Sequence, residues 1–248
     1  MGPLDSERPA AFVTVECEKL KVAVTATSRV VVVLHESAGR LAAAQRLELP
    51  EKSTYTDSTF AAVQNGLLVT VCGFNNIYEL KRDRLGGQLP FRQNVKTHKM
   101  PARVRRVAAL SRGRSGQVGP SSLIGVTFGD ETLRVFSWET DSLTELQIVG
   151  SPQNWNPVNM LFFPDRLHLL VTSEKKKPAG GWQSSVEMFR ASPAAASTAP
   201  IFRHSRTLVP LESDWAITTG WISRVSDSGT QIFAFDINSR TLKQLEFH

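Results

Sequence analysis

Residues 133–149, LRVFSWETDSLTELQIV, read as an apolar strand from Leu133 to Phe136, a polar turn, and a second strand of mixed character. The same grammar occurs four more times. Val31 to Leu34 leads into HESAGRLAAAQRLEL, Ile77 to Leu80 into KRDRLGGQLPFRQ, Val186 to Phe189 into RASPAAASTAPIF, and Ile232 to Phe235 into DINSRTLKQLEF. The first apolar residues of the five copies are 46, 56, 53 and 46 positions apart. Ahead of each copy lie further short apolar runs, such as Phe60 to Val63 and Leu67 to Val71, or Val158 to Phe162 and Leu167 to Thr172. Each unit therefore holds about four strands.

A period of this length in four antiparallel strands describes propeller blades, because one small twisted sheet cannot bury both of its faces until neighbours pack against it. The sequence thus predicts an all-β, propeller-like fold of about five four-stranded blades, closing as a five-bladed ring, standing open, or completed by a partner. A β-sandwich is the alternative, disfavoured because it has no such period. Residues 1–10 are expected to be a disordered N-terminus. Residues 11–248 are expected to form a single propeller-like domain, with loops at about 84–102, 111–122, 175–184 and 191–200. Two windows compete with the strand pattern. LAAAQRLEL, Leu41 to Leu49, is built of helix formers but is nine residues long, leaving strand and helix evenly weighed. Ala191 to Ala199 contains Pro193 among small residues and reads as a linker.

Composition narrows the function. The 248 residues are 41% hydrophobic and 21% charged, as in an ordinary globular chain. Two cysteines, Cys17 and Cys72, cannot build a zinc site or a disulfide framework for a domain this large. No run of 18 apolar residues and no signal-peptide pattern is present, so an intracellular location, cytoplasmic or nuclear, with no membrane span is expected. None of the five histidines stands at metal-ligand spacing from another ligand, and no nucleophile elbow or phosphate loop occurs, so neither metal nor cofactor is expected.

The formal charge of +6 is unevenly placed. Between Asp83 and Asp130 there is no carboxylate, yet Arg84, Arg92, Lys96, Lys99, Arg103, Arg105, Arg106, Arg112 and Arg114 all fall there. Such a stretch suits an acidic protein partner, with nucleic acid as another candidate, and competes with the plainer reading of a solvated loop. Lys96, Lys99, Arg103, Arg105, Arg106, Arg112 and Arg114 are the candidate partner-binding residues. The five tryptophans, Trp138, Trp155, Trp182, Trp215 and Trp221, are expected mainly as packing between blades.

Asn156 to Arg166, NPVNMLFFPDR, and Leu169 to Glu174, LLVTSE, carry a resemblance. Together with Asp214 to Thr218 and Gly229 to Phe233 they resemble the seven-bladed lactonase-like propellers, the group of phosphogluconolactonases and muconate cyclases. In that family a Gly-Pro-Arg-His run precedes Phe-x-Pro-Asp-Gly and a strand ending in glutamate. Here Val158 and Asn159 stand where the family has arginine and histidine, Arg166 replaces the turn glycine, and Glu174 alone matches a functional position. The resemblance implies a propeller fold and, through Glu174, a hydrolase or cyclase with a degenerate site. Loss of the cation and the proton shuttle removes the groups that would stabilise a developing oxyanion. The favoured expectation is therefore a non-enzymatic interaction platform within a larger protein or ribonucleoprotein assembly, binding an acidic partner through its basic segment. A small-molecule substrate is not expected; the degenerate hydrolase and direct nucleic-acid binding are the alternatives.

Overall fold

The computed structural model describes residues 11–17, 20–26, 30–37, 40–50, 58–63, 66–71, 74–83, 90–110, 122–139, 142–149, 156–163, 168–192, 201–210, 217–226, 229–236 and 239–245. Residues 1–10, most of 111–122 and residues 193–200 lie outside this set, so the expectations placed on them are left there.

Among the described residues every regular element is a strand. The first sheet is β1 (Ala11–Cys17), β2 (Leu20–Ala26), β3 (Val30–Ser37) and β4 (Arg40–Glu48), paired in that order. The second is β5 (Ser58–Val63), β6 (Gly66–Val71), β7 (Asn76–Lys81) and β8 (Lys96–Lys99). The third holds β9 (Val104–Leu110), β10 (Ser122–Phe128), β11 (Leu133–Glu139) and β12 (Ser142–Val149); the fourth β13 (Pro157–Phe162), β14 (His168–Lys176), β15 (Trp182–Ser192) and β16 (Ile201–Val209). The fifth has three strands, β17 (Ile217–Ser226), β18 (Gly229–Asp236) and β19 (Thr241–Leu245). Each sheet pairs its strands in chain order, the meander of a propeller blade. The five sequence copies coincide with β3, β7, β11, β15 and β18.

The chain divides into two compact units, one of Met1–Asp130 and Phe136–Thr144, the other of Glu131–Val135 and Glu145–His248.

In the first unit, the second sheet shows why the fold needs neighbours. Every residue of β6, Gly66 to Val71, is buried, so neither face meets water. Alternation sends Leu67, Val69 and Val71 into one core with Val31, Val33, Leu47 and Leu49 of the first sheet. Leu68 turns the other way, into a second core with Ile77, Val104, Val107, Ile124, Val126, Phe128, Phe136 and Trp138. Trp138 packs there as expected of a blade-packing aromatic. Polar groups follow the same division: the Thr59 hydroxyl shares a hydrogen bond with the Thr70 hydroxyl (2.7 Å) and accepts one from the Val107 N–H of β9 (3.1 Å). In the second unit, Leu170, Val186, Met188 and Val209 of the fourth sheet pack with Phe163 and with Leu245 of β19.

A side-chain device fastens the outermost strands. The Gln45 amide of β4 donates from Nε2 to the Phe91 carbonyl (2.6 Å) and accepts at Oε1 from the Phe91 N–H (3.1 Å). In the second unit Gln147 of β12 does the same to Phe202 of β16, both bonds 2.8 Å. A primary amide presents one donor and one acceptor side by side, as a neighbouring strand would, so each glutamine stands in for a missing strand at one position.

Several loop expectations are revised. Residues 84–102 hold a bridge between Phe91 and Arg82 and the strand β8, because the chain returns to pair with β7. Residues 175–184 are mostly the ends of β14 and β15, joined by a tight turn at Lys177–Gly181 in which Gly180 and Gly181 take positive φ. Leu41 to Glu48 is strand β4, since pairing with β3 and burial of Leu47 outweigh its helix formers.

Gly66 sits where a Cβ would overlap the Leu80 carbonyl oxygen, so Gly66→Ala is expected to lose at least about 2 kcal/mol in urea unfolding. Gln45→Ala strands two buried backbone groups and is expected to cost about 2–3 kcal/mol. Gln45→Glu should be no better, since a carboxylate cannot donate to Phe91. Gln147→Ala, at a part-buried position, should cost less than Gln45→Ala; the reverse order would refute the clamp account.

Candidate functional site

The candidate cations lie on β8, on the connector that follows it, and on β9. β8 is the outermost strand of the second sheet and pairs Asn76 with Lys99, Ile77 with His98 and Glu79 with Lys96. Lys96 and Lys99 are both exposed. Strand alternation places them on opposite faces of that edge, so they do not form one patch on a single face.

The connector to β9 is held in place by its own backbone. The Met100 N–H donates to the Asn75 carbonyl (2.7 Å) and the Val104 N–H to the Phe74 carbonyl (2.8 Å). Met100, Ala102 and Val104 turn into the core shared with the third sheet, while Lys99, Pro101 and Arg103 stay exposed. The Arg103 carbonyl in turn accepts from the Gly129 N–H (2.7 Å). Lys99 and Arg103 are thereby displayed from a pinned segment. Arg105 and Arg106 differ: both are half-buried on β9 and both make interactions of their own. A register shift between Thr127 and Phe128 breaks the alternation of β9, giving consecutive half-buried arginines instead of one in and one out. Arg112 and Arg114 lie outside the described residues. The basic segment is therefore spread over a sheet edge, a connector and a half-buried strand.

Sequence spacing missed the histidine partners. His98 Nε2 donates to Glu79 Oε2 (2.9 Å), and its ring meets the Trp138 ring edge-on with centroids 5.3 Å apart. His204 Nε2 donates to Glu187 Oε2 (2.8 Å), which also accepts from the Thr207 hydroxyl (2.6 Å), and the His204 ring meets Phe189 edge-on at 5.5 Å. Glu79 and Glu187 are both buried, at 3% and 5% exposure. Asp236, equally buried, takes Lys243 Nζ at 2.9 Å and the Ser239 hydroxyl at 2.6 Å. In three sheets a buried acid on the next-to-last strand thus binds a polar or cationic partner on or beside the last one. This is how a buried carboxylate is kept satisfied, and it is structural work. The partners are 19, 17 and 7 residues apart, so only a strand register brings them together.

Glu174, on β14, is half-buried and stands opposite Ser184; its N–H donates to the Asn156 carbonyl (3.0 Å). The β13 register places Asn159 opposite Thr172, on the same face as Glu174. Asn159 Oδ1 accepts from the Met160 N–H (2.9 Å). The positions where the resemblance calls for arginine and histidine thus hold a half-buried valine and an amide, and the neighbouring side chains Thr172, Ser173, Ser184 and Ser185 are buried and neutral. Among the described residues no group of three His, Cys, Asp or Glu could hold a metal ion.

No family model matches the sequence, and no curated protein matches it. Solved structures do. The chain is similar to a proposed 6-phosphogluconolactonase from Bacteroides fragilis at a TM-score of 0.54 and 16% identity, over 96% of this chain and 69% of that one. A proposed 6-phosphogluconolactonase from Bacteroides uniformis gives 0.52 and 10%, over 93% and 68%. A protein from Lactobacillus plantarum gives 0.53 and 15%, over 96% and 70%. At these identities the likeness is one of fold, and the fold is of the β-propeller type.

Removing the Thr207 hydroxyl takes one of two hydrogen bonds from a buried carboxylate. Thr207→Ala is expected to cost about 1 kcal/mol, and Glu187→Ala more, since it leaves His204 and Thr207 both without their acceptor. Chemical denaturation of the two variants checks the order.

Proposed function

We propose that this chain is a non-enzymatic propeller-type interaction platform, a subunit of a larger assembly that receives an acidic protein partner at the end of its second sheet. The observation that carries this reading is the outward display of Lys99 and Arg103 from a connector hydrogen-bonded at both ends, beside the exposed Lys96 on the edge strand. A connector pinned in this way holds two cations in place at little entropic cost on binding. No carboxylate lies between Asp83 and Asp130 in the sequence. Arg105 and Arg106 follow half-buried on β9, and Arg112 and Arg114 extend the charge in sequence. Among the described residues Thr172, Ser184 and Asn159, on the face of Glu174, offer hydroxyls and an amide, which favours binding over lactone chemistry, since none of the three is a cation that would stabilise an oxyanion. No helix among the described residues is long and apolar enough to cross a membrane.

The test is a charge reversal that spares β9. Lys96→Gln, Lys99→Glu and Arg103→Glu combined should elute from polyglutamate-agarose at clearly lower salt than the parent chain, with Tm little changed, because Lys99 and Arg103 are exposed and glutamine at 96 sets no second carboxylate opposite the buried Glu79. Unchanged elution would overturn the assignment, and tighter retention of the parent on single-stranded RNA than on polyglutamate would move the partner class to nucleic acid.

A further inference from the structure

The outer end of the fourth sheet carries a second cationic surface that the sequence reading did not single out. β16 is the last strand of its sheet, and Arg203 of β16 stands directly opposite Arg190 of β15, both exposed. Like charges placed opposite each other across a strand pair destabilise it, so the fold gains nothing from this arrangement. The pairing continues with Arg206 opposite Met188 and Ile201 opposite Ser192. Two register shifts run through the pair, and the one between Met188 and Phe189 leaves Ser205 unmatched. That extra residue is what brings Arg206 to the face of Arg203, since simple alternation would put residues three apart on opposite faces. Arg190, Arg203, Arg206 and Ile201 therefore share one face.

Their surroundings add to the case. Among the described residues none of the three arginines has a carboxylate within ion-pair distance, and Arg206 Nε is buried without a hydrogen-bond partner. Glu187 is the single acid of β15 and β16; it points to the opposite face and is taken by His204 and Thr207. Between Glu187 and Glu212 the sequence holds no other carboxylate. Ile201 is 50% exposed, one of three large apolar side chains left open to this degree among the described residues.

We propose that this face is a docking site for an extended acidic segment of a protein partner, carrying carboxylates for Arg190 and Arg203 and an aliphatic side chain for Ile201. Charge complementarity selects the acid, and the exposed isoleucine selects a peptide over a nucleic-acid backbone, which offers it no aliphatic group. Planar guanidinium groups on neighbouring strands suit carboxylates that alternate along an extended chain. The site lies in the second compact unit and does not depend on the cations of β8.

The test uses the whole chain and a short fluorescein-labelled peptide, Glu-Asp-Glu-Leu-Glu-Asp, with a control peptide in which serine replaces the leucine. Combined Arg190→Gln and Arg203→Gln should weaken binding of the leucine peptide about tenfold, with Tm unchanged or raised as the opposed charges are removed. Ile201→Ser should weaken it about threefold and should abolish the preference for leucine over serine. The Lys96→Gln, Lys99→Glu, Arg103→Glu variant should bind the leucine peptide as the parent does, which separates this site from the one proposed above. Peptide binding insensitive to Arg190→Gln and Arg203→Gln would overturn the proposal. So would a leucine preference that survives Ile201→Ser, a fall in Tm on removing the two arginines, or binding of oligouridylate in place of the peptide.

Discussion

Burial of a sheet on both faces is the constraint on which the rest of this structure depends. A strand such as β6, with leucine and valine on either side, has no stable existence in a single layer: half of its side chains would face water at roughly 25 cal/mol for each Å² of apolar surface. Alternation resolves this by committing Leu67, Val69 and Val71 to one neighbouring sheet and Leu68 to the other. Once the sheets are so stacked, their outer strands and connectors have little left to bury, and that is where charge collects. β8 is four residues with two exposed lysines, and the connector after it shows cations on the side that Met100 and Val104 leave open. The polar surface is a consequence of where the apolar residues had to go.

Buried carboxylates are the second theme. Glu79, Glu187 and Asp236 sit on strands β7, β15 and β18, and each is satisfied by a histidine, lysine or hydroxyl on or beside the next strand. A lone carboxylate at such a site would be expensive, and a hydrophobic residue would remove the expense altogether, so these pairs are better regarded as fixing the register of the outer strand than as a net gain in stability. His98 and His204 are accounted for in this way. The cations on the outer faces, Lys99, Arg103, Arg190 and Arg203, belong to a different class because no register requires them.

The repeat was legible in the sequence because burial on both faces leaves an apolar run that recurs once per sheet, and Val31, Ile77, Leu133, Val186 and Ile232 all begin such runs. The outer strands were less legible. KTHK has no apolar alternation and is a strand only because β7 offers an edge to pair with, while LAAAQRLEL carries helix formers that tertiary pairing overrides. The basic stretch could be read from charge alone, but its division among an edge, a connector and a half-buried strand depended on a register shift at Thr127 that composition does not encode. The histidine–glutamate pairs were hidden because strand register, not local spacing, joins them. The glutamine clamps left a usable signal: Gln45 lies 14 residues after Val31, Gln147 lies 14 after Leu133, and Phe91 lies 14 after Ile77. Aligning the first three copies residue by residue would have placed amide, aromatic and amide at the same point, while in the fourth the aromatic, Phe202, comes two residues later, 16 after Val186.

Those clamps alter how the periphery of the molecule meets solvent. An outermost strand ordinarily surrenders its amide hydrogens to deuterium soonest, since half of its peptide groups look outward. At Phe91 and Phe202 the outward-looking peptide is already engaged at both ends by a side chain from the preceding sheet. Labelling can reach those two positions only when neighbouring sheets separate, which makes them reporters, set at the rim, of an opening event that belongs to the interior.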